Sequence, residues 1–180
     1  MRIALVTDAW APQVSGVVTT MANTARLLAE WGHEICMLTP EGQRTVPCPG
    51  YAEIRLSLRP KKKVFRALEA FKPDSVHIAT EGPLGHAARR WCLRNQFPFA
   101  TSYHTQFTEY VRLRAPIPLG ATYAYLRRFH RPAHATLVRT KTQKELLKSR
   151  GFTHLKVWPG AVDTQLFRPR GKEALSLPRP

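Results

Sequence analysis

The loop DAWAPQVSGVVTT, residues 8–20, holds the residues whose types and order most directly suggest chemistry. It lies between the apolar run IALVT and a helical pattern that begins near Val17. Free N–H groups and the positive end of the helix dipole attract anions at such a position. Gly16 has no Cβ and lets a phosphate approach the backbone, while Ser15 adds a hydroxyl. The loop therefore predicts a phosphate site, with one alternative: Gly16 only forms a turn and Ser15 only caps the helix.

Several common ligand motifs are missing from the sequence. There is no GxGxxG after the first apolar run, which argues against a nicotinamide or flavin site, and no GxxxxGK[ST], which excludes an ordinary P-loop. No DxD is present, so nothing suggests a carboxylate-bound divalent metal. We therefore expect no cofactor and no metal. Five histidines have no ligand spacing and receive no role: His33, His77, His130, His134 and His154.

Short apolar runs alternate with helical patterns along the chain. Strands are predicted at Arg2–Thr7, Glu34–Pro40, Ala52–Leu58, Asp74–Thr80, Phe99–Tyr103, Ala135–Thr140 and His154–Trp158. Helices are predicted at Val17–Trp31, Lys61–Phe71, Pro83–Asn95 and Leu119–His130, and a last one opens at the capping-box sequence TQKE, Thr142–Glu145. This alternation predicts an α/β fold, a Rossmann-like and mostly parallel sheet with helices on both faces. Ligands then bind at the carboxyl ends of the strands.

The composition points to an anionic partner. The chain has 180 residues, long enough for one domain, and its 28 Lys+Arg against 12 Asp+Glu give a formal net charge of +16. Nucleic acid, an anionic membrane or a phosphorylated small molecule would each fit. The sequence has no recognition helix and no aromatic platform, so a nucleic-acid-binding module is the weaker alternative. Three cysteines without a CxxC pair, and no apolar segment of spanning length, predict a cytoplasmic location.

Three segments resemble a known family. MRIALVTDAWAPQVSGVVTTMANTARLLAEWGHEI, KPDSVHIATEGPLGHAARRWCLRNQFPFATSYHTQFTEYV and GFTHLKVWPGAVDTQLFRPR are similar to the amino-terminal domain of family 4 glycosyltransferases, which are retaining enzymes of GT-B architecture. Within the family the resemblance is strongest to bacterial GDP-mannose-dependent α-mannosyltransferases that act on lipid acceptors. It implies transfer of a hexose, expected to be mannose, from a nucleotide-sugar donor to a lipid or glycan acceptor with retention. A GT-B enzyme that is not a transferase, such as a nucleotide-sugar epimerase, is the alternative.

The resemblance implies roles for the residues around Gly16. Gly16, with Val17 behind it, would contact the donor diphosphate when the two lobes of the enzyme close, and Ser15 would lie beside them. The departing diphosphate would assist deprotonation of the acceptor. This agrees with the electrostatic expectation for the start of a helix.

Three residues that follow predicted strands are the candidate catalytic residues. His104 would contact the sugar or the departing phosphate, although a lone histidine at a strand end is more often structural. Asp8 would orient the acceptor hydroxyl, or it satisfies N–H groups of its own loop. Glu81 would bind sugar or acceptor hydroxyls, or it favours the start of the following helix by its charge. For Tyr103 and Thr140, also at strand ends, we expect structural roles.

A basic run from Arg55 to Arg66 predicts a membrane contact. It enters a predicted helix together with Val64, Phe65 and Leu68, which would give a basic and partly apolar surface for anionic headgroups. The alternative is an ordinary solvated face. The protein is then expected to be peripheral at the inner face of the membrane, through these residues: Arg59, Lys61, Lys62, Lys63 and Arg66.

The resemblance also predicts how the chain is divided. Residues 1–165 would form the acceptor-side domain, and residues 166–180 a linker toward an absent carboxyl-terminal domain that carries the nucleotide pocket. Because catalysis needs both lobes to position the reactants, the chain alone is expected to be inactive. One departure from similar sequences is Ala161, which stands where Gly usually precedes the pair Val162 and Asp163.

Overall fold

The computed structural model describes residues 1–48, 51–104, 118–162, 164 and 167–169. The strands are β1 (Arg2–Val6), β2 (Glu34–Leu38), β3 (Thr45–Cys48), β4 (Tyr51–Ser57), β5 (Ser75–Ile78), β6 (Phe99–Tyr103), β7 (Ala135–Val138) and β8 (Leu155–Val157). The helices are α1 (Gly16–Glu30), α2 (Lys61–Phe71), α3 (Pro83–Arg94), α4 (Leu119–His130) and α5 (Lys141–Ser149). Asp163 and the predicted linker, apart from residues 167–169, lie outside the described residues.

Six strands form one parallel sheet in the order β2-β1-β5-β6-β7-β8. Alternate residues of β1 face opposite sides: Val6 packs in the cluster that contains Leu68 of α2 and Leu84 of α3, whereas Leu5 packs with Met21 of α1. Helices therefore cover both faces, which confirms the predicted fold class. The chain order reverses between β1 and β5, and ligands of such sheets bind at that point, beyond the carboxyl ends of the strands.

One predicted strand was placed in the wrong sheet. The segment Ala52–Leu58 contributes to β4, which pairs antiparallel with β3 in a separate hairpin. Glu53 and Arg55 are exposed, and such alternation is typical of a strand with one wet face, not of a parallel strand buried on both sides. The sequence pattern does not predict β3.

The start of α5 also differs from its prediction. The N-cap is Thr140, not Thr142: the hydroxyl of Thr140 accepts a hydrogen bond from the backbone N–H of Gln143 at 3.1 Å. The Gln143 side chain accepts in return from the backbone N–H of Arg139 at 2.9 Å. A capping arrangement is thus present, two residues earlier than expected. This confirms the structural role expected for Thr140.

Candidate active site

The start of α1 lies at the carboxyl edge of the sheet and presents unpaired N–H groups. Ser15 is the N-cap, and its hydroxyl accepts from the backbone N–H of Val18 at 3.3 Å. Within the described part of the chain, no partner is found for the backbone N–H groups of Gly16 and Val17. Gly16 is exposed, and a Cβ built on it would meet no atom within 4 Å.

The capping alternative for Ser15 is therefore correct without excluding an anion. Capping uses the N–H group of Val18 and leaves the two preceding ones open. Gly16 does not adopt a positive φ, so backbone geometry does not require a glycine there. What the glycine provides is open space above two free amide donors at the positive end of a helix dipole. Its contact with a diphosphate remains a prediction.

Asp8 is buried and joins β1 to the start of α3. Its carboxylate accepts hydrogen bonds from the backbone N–H of Leu84 at 2.8 Å, that of Gly85 at 3.2 Å and the Thr80 hydroxyl at 2.9 Å. The side chain thus caps α3, whose N-cap residue, Gly82, makes no side-chain hydrogen bond. Burial raises the pKa of the Asp8 carboxyl, although these three donors act in the opposite direction. The acceptor role for Asp8 remains a prediction.

Glu81 contacts a histidine instead of capping the following helix. Its Oε1 lies 3.1 Å from Nε2 of His130, and its backbone carbonyl accepts from the Tyr125 hydroxyl at 3.3 Å. The hydrogen bonds that cap α3 come from Asp8, and the charge effect of Glu81 on the start of this helix stays a prediction. The Glu81 side chain is partly exposed, so a carboxylate held by α4 still reaches solvent at the carboxyl edge.

His130 is a polar residue whose role sequence reasoning missed. Its side chain is 2% exposed, and its Nδ1 lies 2.9 Å from the hydroxyl of Thr101, which lies 3.1 Å from that of Thr136. These two threonines are paired in the register of β6 and β7. Buried hydroxyls need partners, so threonines inside two apolar strands were a signal that a polar group would pack against them.

His104 follows β6, and its Nε2 is buried with no hydrogen-bond partner in the described residues. Its ring packs edge-on against Trp158, with the centroids 6.1 Å apart. Burial, together with the positive charge of Arg139, lowers the pKa of His104 to about 4, while Glu81 opposes the shift. The imidazole is therefore neutral at pH 7, and its Nε2 finds no partner among the described residues.

His77 also contacts Trp158 and has a structural partner. The two ring centroids are 5.8 Å apart, and Nε2 of His77 lies 2.7 Å from the Ser102 hydroxyl. Burial, and to a lesser extent the charge of His104, lowers the pKa of His77 to about 4. His77, His104 and Trp158 together form a neutral aromatic patch near the carboxyl edge of the sheet.

Arg139 places a positive charge between this patch and α1, and sequence reasoning missed it as well. Its Nη1 donates to the hydroxyl of Thr20, one helical turn beyond Gly16, at 3.2 Å. A Cβ on Gly160 would collide with the Arg139 guanidinium, so Gly160 makes room for it. The guanidinium, the open amides of α1 and the imidazole of His104 thus lie at the same edge.

The basic run lies elsewhere, at the start of α2. Lys61, Lys62 and Lys63 are exposed. Val64 is 1% exposed and Leu68 is fully buried in the core, so the expected apolar component is wrong for these two side chains, whereas Phe65 is only partly buried. What remains is a basic surface without those two apolar side chains. No helix in the described residues is both long enough and apolar enough to cross a bilayer.

The sequence matches the family model for glycosyltransferase family 4 over residues 14–166. A sulfoquinovosyl transferase of Arabidopsis thaliana is 30% identical over 174 residues, which cover 87% of this chain and 34% of that protein. A GDP-mannose-dependent alpha-mannosyltransferase of Mycobacterium tuberculosis is 27% identical over 96% of this chain and 50% of that protein. The chain thus spans half or less of the length of these curated relatives.

Solved structures show the same fold. A structure of S. aureus MnaA with UDP superimposes with a TM-score of 0.52 at 13% identity, over 87% of this chain and 43% of that one. Acinetobacter baumannii MurG gives the same TM-score and identity over 90% of this chain and 46% of that one. Both matches support a GT-B half with the parallel sheet described above.

Proposed function

The chain belongs to glycosyltransferase family 4, and we propose that it forms the acceptor-side lobe of an enzyme that transfers mannose from GDP-mannose to a lipid or glycan acceptor with retention. The observation that carries the proposal is the pair of open N–H groups at Gly16 and Val17. They lie at the edge where parallel sheets of this kind bind ligands. Three relatives named as GDP-mannose-dependent mannosyltransferases support the choice of sugar.

In this proposal the donor diphosphate lies against the first turn of α1. Its charge is stabilised by the open amides and by the helix dipole. The neutral His104 contacts the sugar or the departing phosphate through Nε2, for which the described part of the chain offers no hydrogen-bond partner. The acceptor hydroxyl is oriented by Glu81, whose carboxylate is partly exposed and held by His130. Asp8 supports the same edge through its three hydrogen bonds at the start of α3.

Two further parts of the proposal concern the rest of the enzyme. Because the chain spans half or less of its relatives, we assign the nucleotide pocket to a second lobe, and we expect the 180-residue chain alone to be inactive. The acceptor is assigned to the lipid class because two relatives are named as alpha-monoglucosyldiacylglycerol synthases. A lipid acceptor requires contact with a membrane, which we assign to the basic start of α2 at the cytoplasmic face.

The test combines the chain with a donor lobe. The 180-residue chain is mixed with, or fused to, the separately expressed carboxyl-terminal half of the Mycobacterium tuberculosis relative, and GDP-mannose is added while amide NMR signals are followed. We expect the signals of Gly16 and Val17 to shift and labelled mannose to pass to an extracted lipid. If saturating donor leaves both amides unmoved in the two-lobe sample, the diphosphate site is refuted. Because the borrowed lobe carries the nucleotide pocket, this hybrid tests the diphosphate site and not the choice of sugar.

A further inference from the structure

A basic cavity lies at the edge of the sheet opposite the candidate active site. It has a volume of about 680 Å³ and lies between α4 and the turn that joins α5 to β8. Residues 131 and 132 precede β7 and residues 151–153 precede β8, so the cavity is at the amino ends of the strands. We call it the arginine cavity, after its four arginines: Arg89, Arg127, Arg128 and Arg131.

Two of these arginines are fixed in the wall by backbone carbonyls. Arg89 donates through Nε to the carbonyl of Phe129 at 2.8 Å and through Nη2 to that of Arg128 at 2.9 Å. Arg127 donates to the carbonyl of Arg150 at 2.9 Å. Cations near helix carboxyl ends are stabilising. The side chain of Arg89, from α3, contacts the carboxyl end of α4, and that of Arg127, from α4, contacts the carboxyl end of α5. Helix stabilisation therefore explains both arginines.

The same explanation does not extend to Arg128 and Arg131. Both side chains are exposed, and neither has a hydrogen-bond or ion-pair partner in the parts of the chain that the structure describes. Among the described residues that line the cavity there is no carboxylate. Burial, and to a lesser extent the nearby positive charge of Arg128, lowers the pKa of Arg89.

We propose that the arginine cavity binds a phosphate-bearing anion. Guanidinium groups match phosphate oxygens in geometry and charge, and two of the four are already held in place, so less freedom is lost on binding. The volume is within the range of small-molecule sites. Ala124, Pro132 and Phe152 also line the cavity and would contact the organic part of a phosphate ester.

One of the residues that line the cavity also contacts a residue of the carboxyl edge. His130 lines the cavity, and its Nε2 contacts Glu81 at 3.1 Å. An anion in the cavity would therefore lie beside the residue that contacts the Glu81 carboxylate. Binding at the amino edge therefore alters the electrostatic surroundings of a side chain that holds a candidate acceptor-binding carboxylate.

The test measures binding of pyrophosphate and of glycerol 3-phosphate to the 180-residue chain by calorimetry and NMR. The background variant is Gly16→Val, so that the start of α1 does not contribute. We expect saturable binding that shifts the Nε–H signals of Arg89 and Arg127 and the ring signals of His130. Arg128→Gln with Arg131→Gln should weaken binding about tenfold or more, because two charge-assisted contacts are lost. The matched control, Arg90→Gln with Arg94→Gln, removes the same charge from exposed positions of α3 and should change affinity less than about twofold.

Two results would overturn the proposal, and a vesicle arm identifies the source of the phosphate. The site is refuted if neither of the two soluble ligands nor the phosphatidic acid vesicles show saturable binding. Equal weakening in the two double variants also refutes it, since net charge alone would then explain binding. Binding that needs Arg128 and Arg131 but occurs only with phosphatidic acid vesicles assigns the cavity to a lipid headgroup. Binding of glycerol 3-phosphate with the same dependence assigns it to a soluble ester.

Discussion

The carboxylate of Asp8 and the backbone N–H of Leu84 are hydrogen-bonded at 2.8 Å, which ties the end of β1 to the first turn of α3. These two residues are 76 positions apart in the sequence, and β1 and β5 are neighbours where the sheet order reverses. The contact therefore fixes the carboxyl edge at the point where the candidate active site lies. It also places a buried negative charge at the positive end of a helix.

Replacing Asp8 tests this structural role. We expect Asp8→Ala to lower the free energy of unfolding by about 1–3 kcal/mol, because two backbone N–H groups and the Thr80 hydroxyl lose their acceptor in a buried place. Urea denaturation followed by far-UV circular dichroism measures the change. Asp8→Asn keeps one acceptor oxygen and should lose less. Equal stability of wild type and Asp8→Ala would contradict the capping role.

Gly16→Val tests the diphosphate contact separately from folding. A Cβ at Gly16 meets no other atom, so stability should change little. In the two-lobe enzyme, the added side chain covers the open amides, and we expect kcat/KM for GDP-mannose to fall about ten- to hundredfold, as for the loss of one or two charge-assisted hydrogen bonds. Gly120→Val is the control, since Gly120 is also near a helix start with open space around it. A similar loss in both variants would mean that the effect is not specific to α1.

The two half-buried histidines beside Trp158 predict a pH dependence of stability. Each has a pKa of about 4 in the folded state, against an ordinary value of 6.5. Between these values the unfolded chain binds more protons than the folded one, so the free energy of unfolding should fall as pH falls from about 6.5 to about 4. The contribution is at most about 1.4 kcal/mol per pH unit for each histidine.

Comparison of variants separates this contribution from that of other groups. His104→Gln should flatten the fall between pH 6.5 and 4.5 relative to wild type. His134→Gln, which changes an exposed histidine, should leave the slope unchanged. Asp8 has the opposite effect on the free energy of unfolding. Because its pKa is raised in the folded state, protonation at low pH favours that state. A wild-type curve parallel to that of His104→Gln would refute the assignment of a depressed pKa to His104.

The sequence predicted the elements of the sheet better than their partners. Runs such as IALV and ATLV are short, apolar and bounded by turn residues, so they are recognisable as strands buried on both faces. The strand β4 was recognisable too, but its partner β3 has the sequence TVPC, where a proline interrupts the pattern. Pairing in such a hairpin depends on the surrounding structure rather than on periodicity.

The candidate site shows the same limit. Residue type and strand-end position were enough to select Asp8, Glu81 and His104. The contact of Glu81 with His130 spans 49 positions and that of Arg139 with Thr20 spans 119. Both depend on how helices pack on the sheet, which no local pattern contains. The predicted contact of Ser15 with the nucleotide-sugar donor is ambiguous for another reason. A hydroxyl at a helix start serves capping and ligand binding equally well.

The basic start of α2 leads to the last prediction, which concerns membrane binding. Because Val64 and Leu68 are buried, attraction to a membrane must come mainly from charge. Lys61→Gln, Lys62→Gln and Lys63→Gln together should weaken binding to vesicles rich in phosphatidylglycerol about hundredfold, at about 1 kcal/mol per lysine, and 0.5 M salt, a roughly 4 Å screening length, should remove most of the difference. The control replaces Lys141, Lys144 and Lys148 of α5 by Gln, with the same loss of charge. Co-sedimentation measures both triple variants, and equal losses would show that overall charge, not α2, makes the contact.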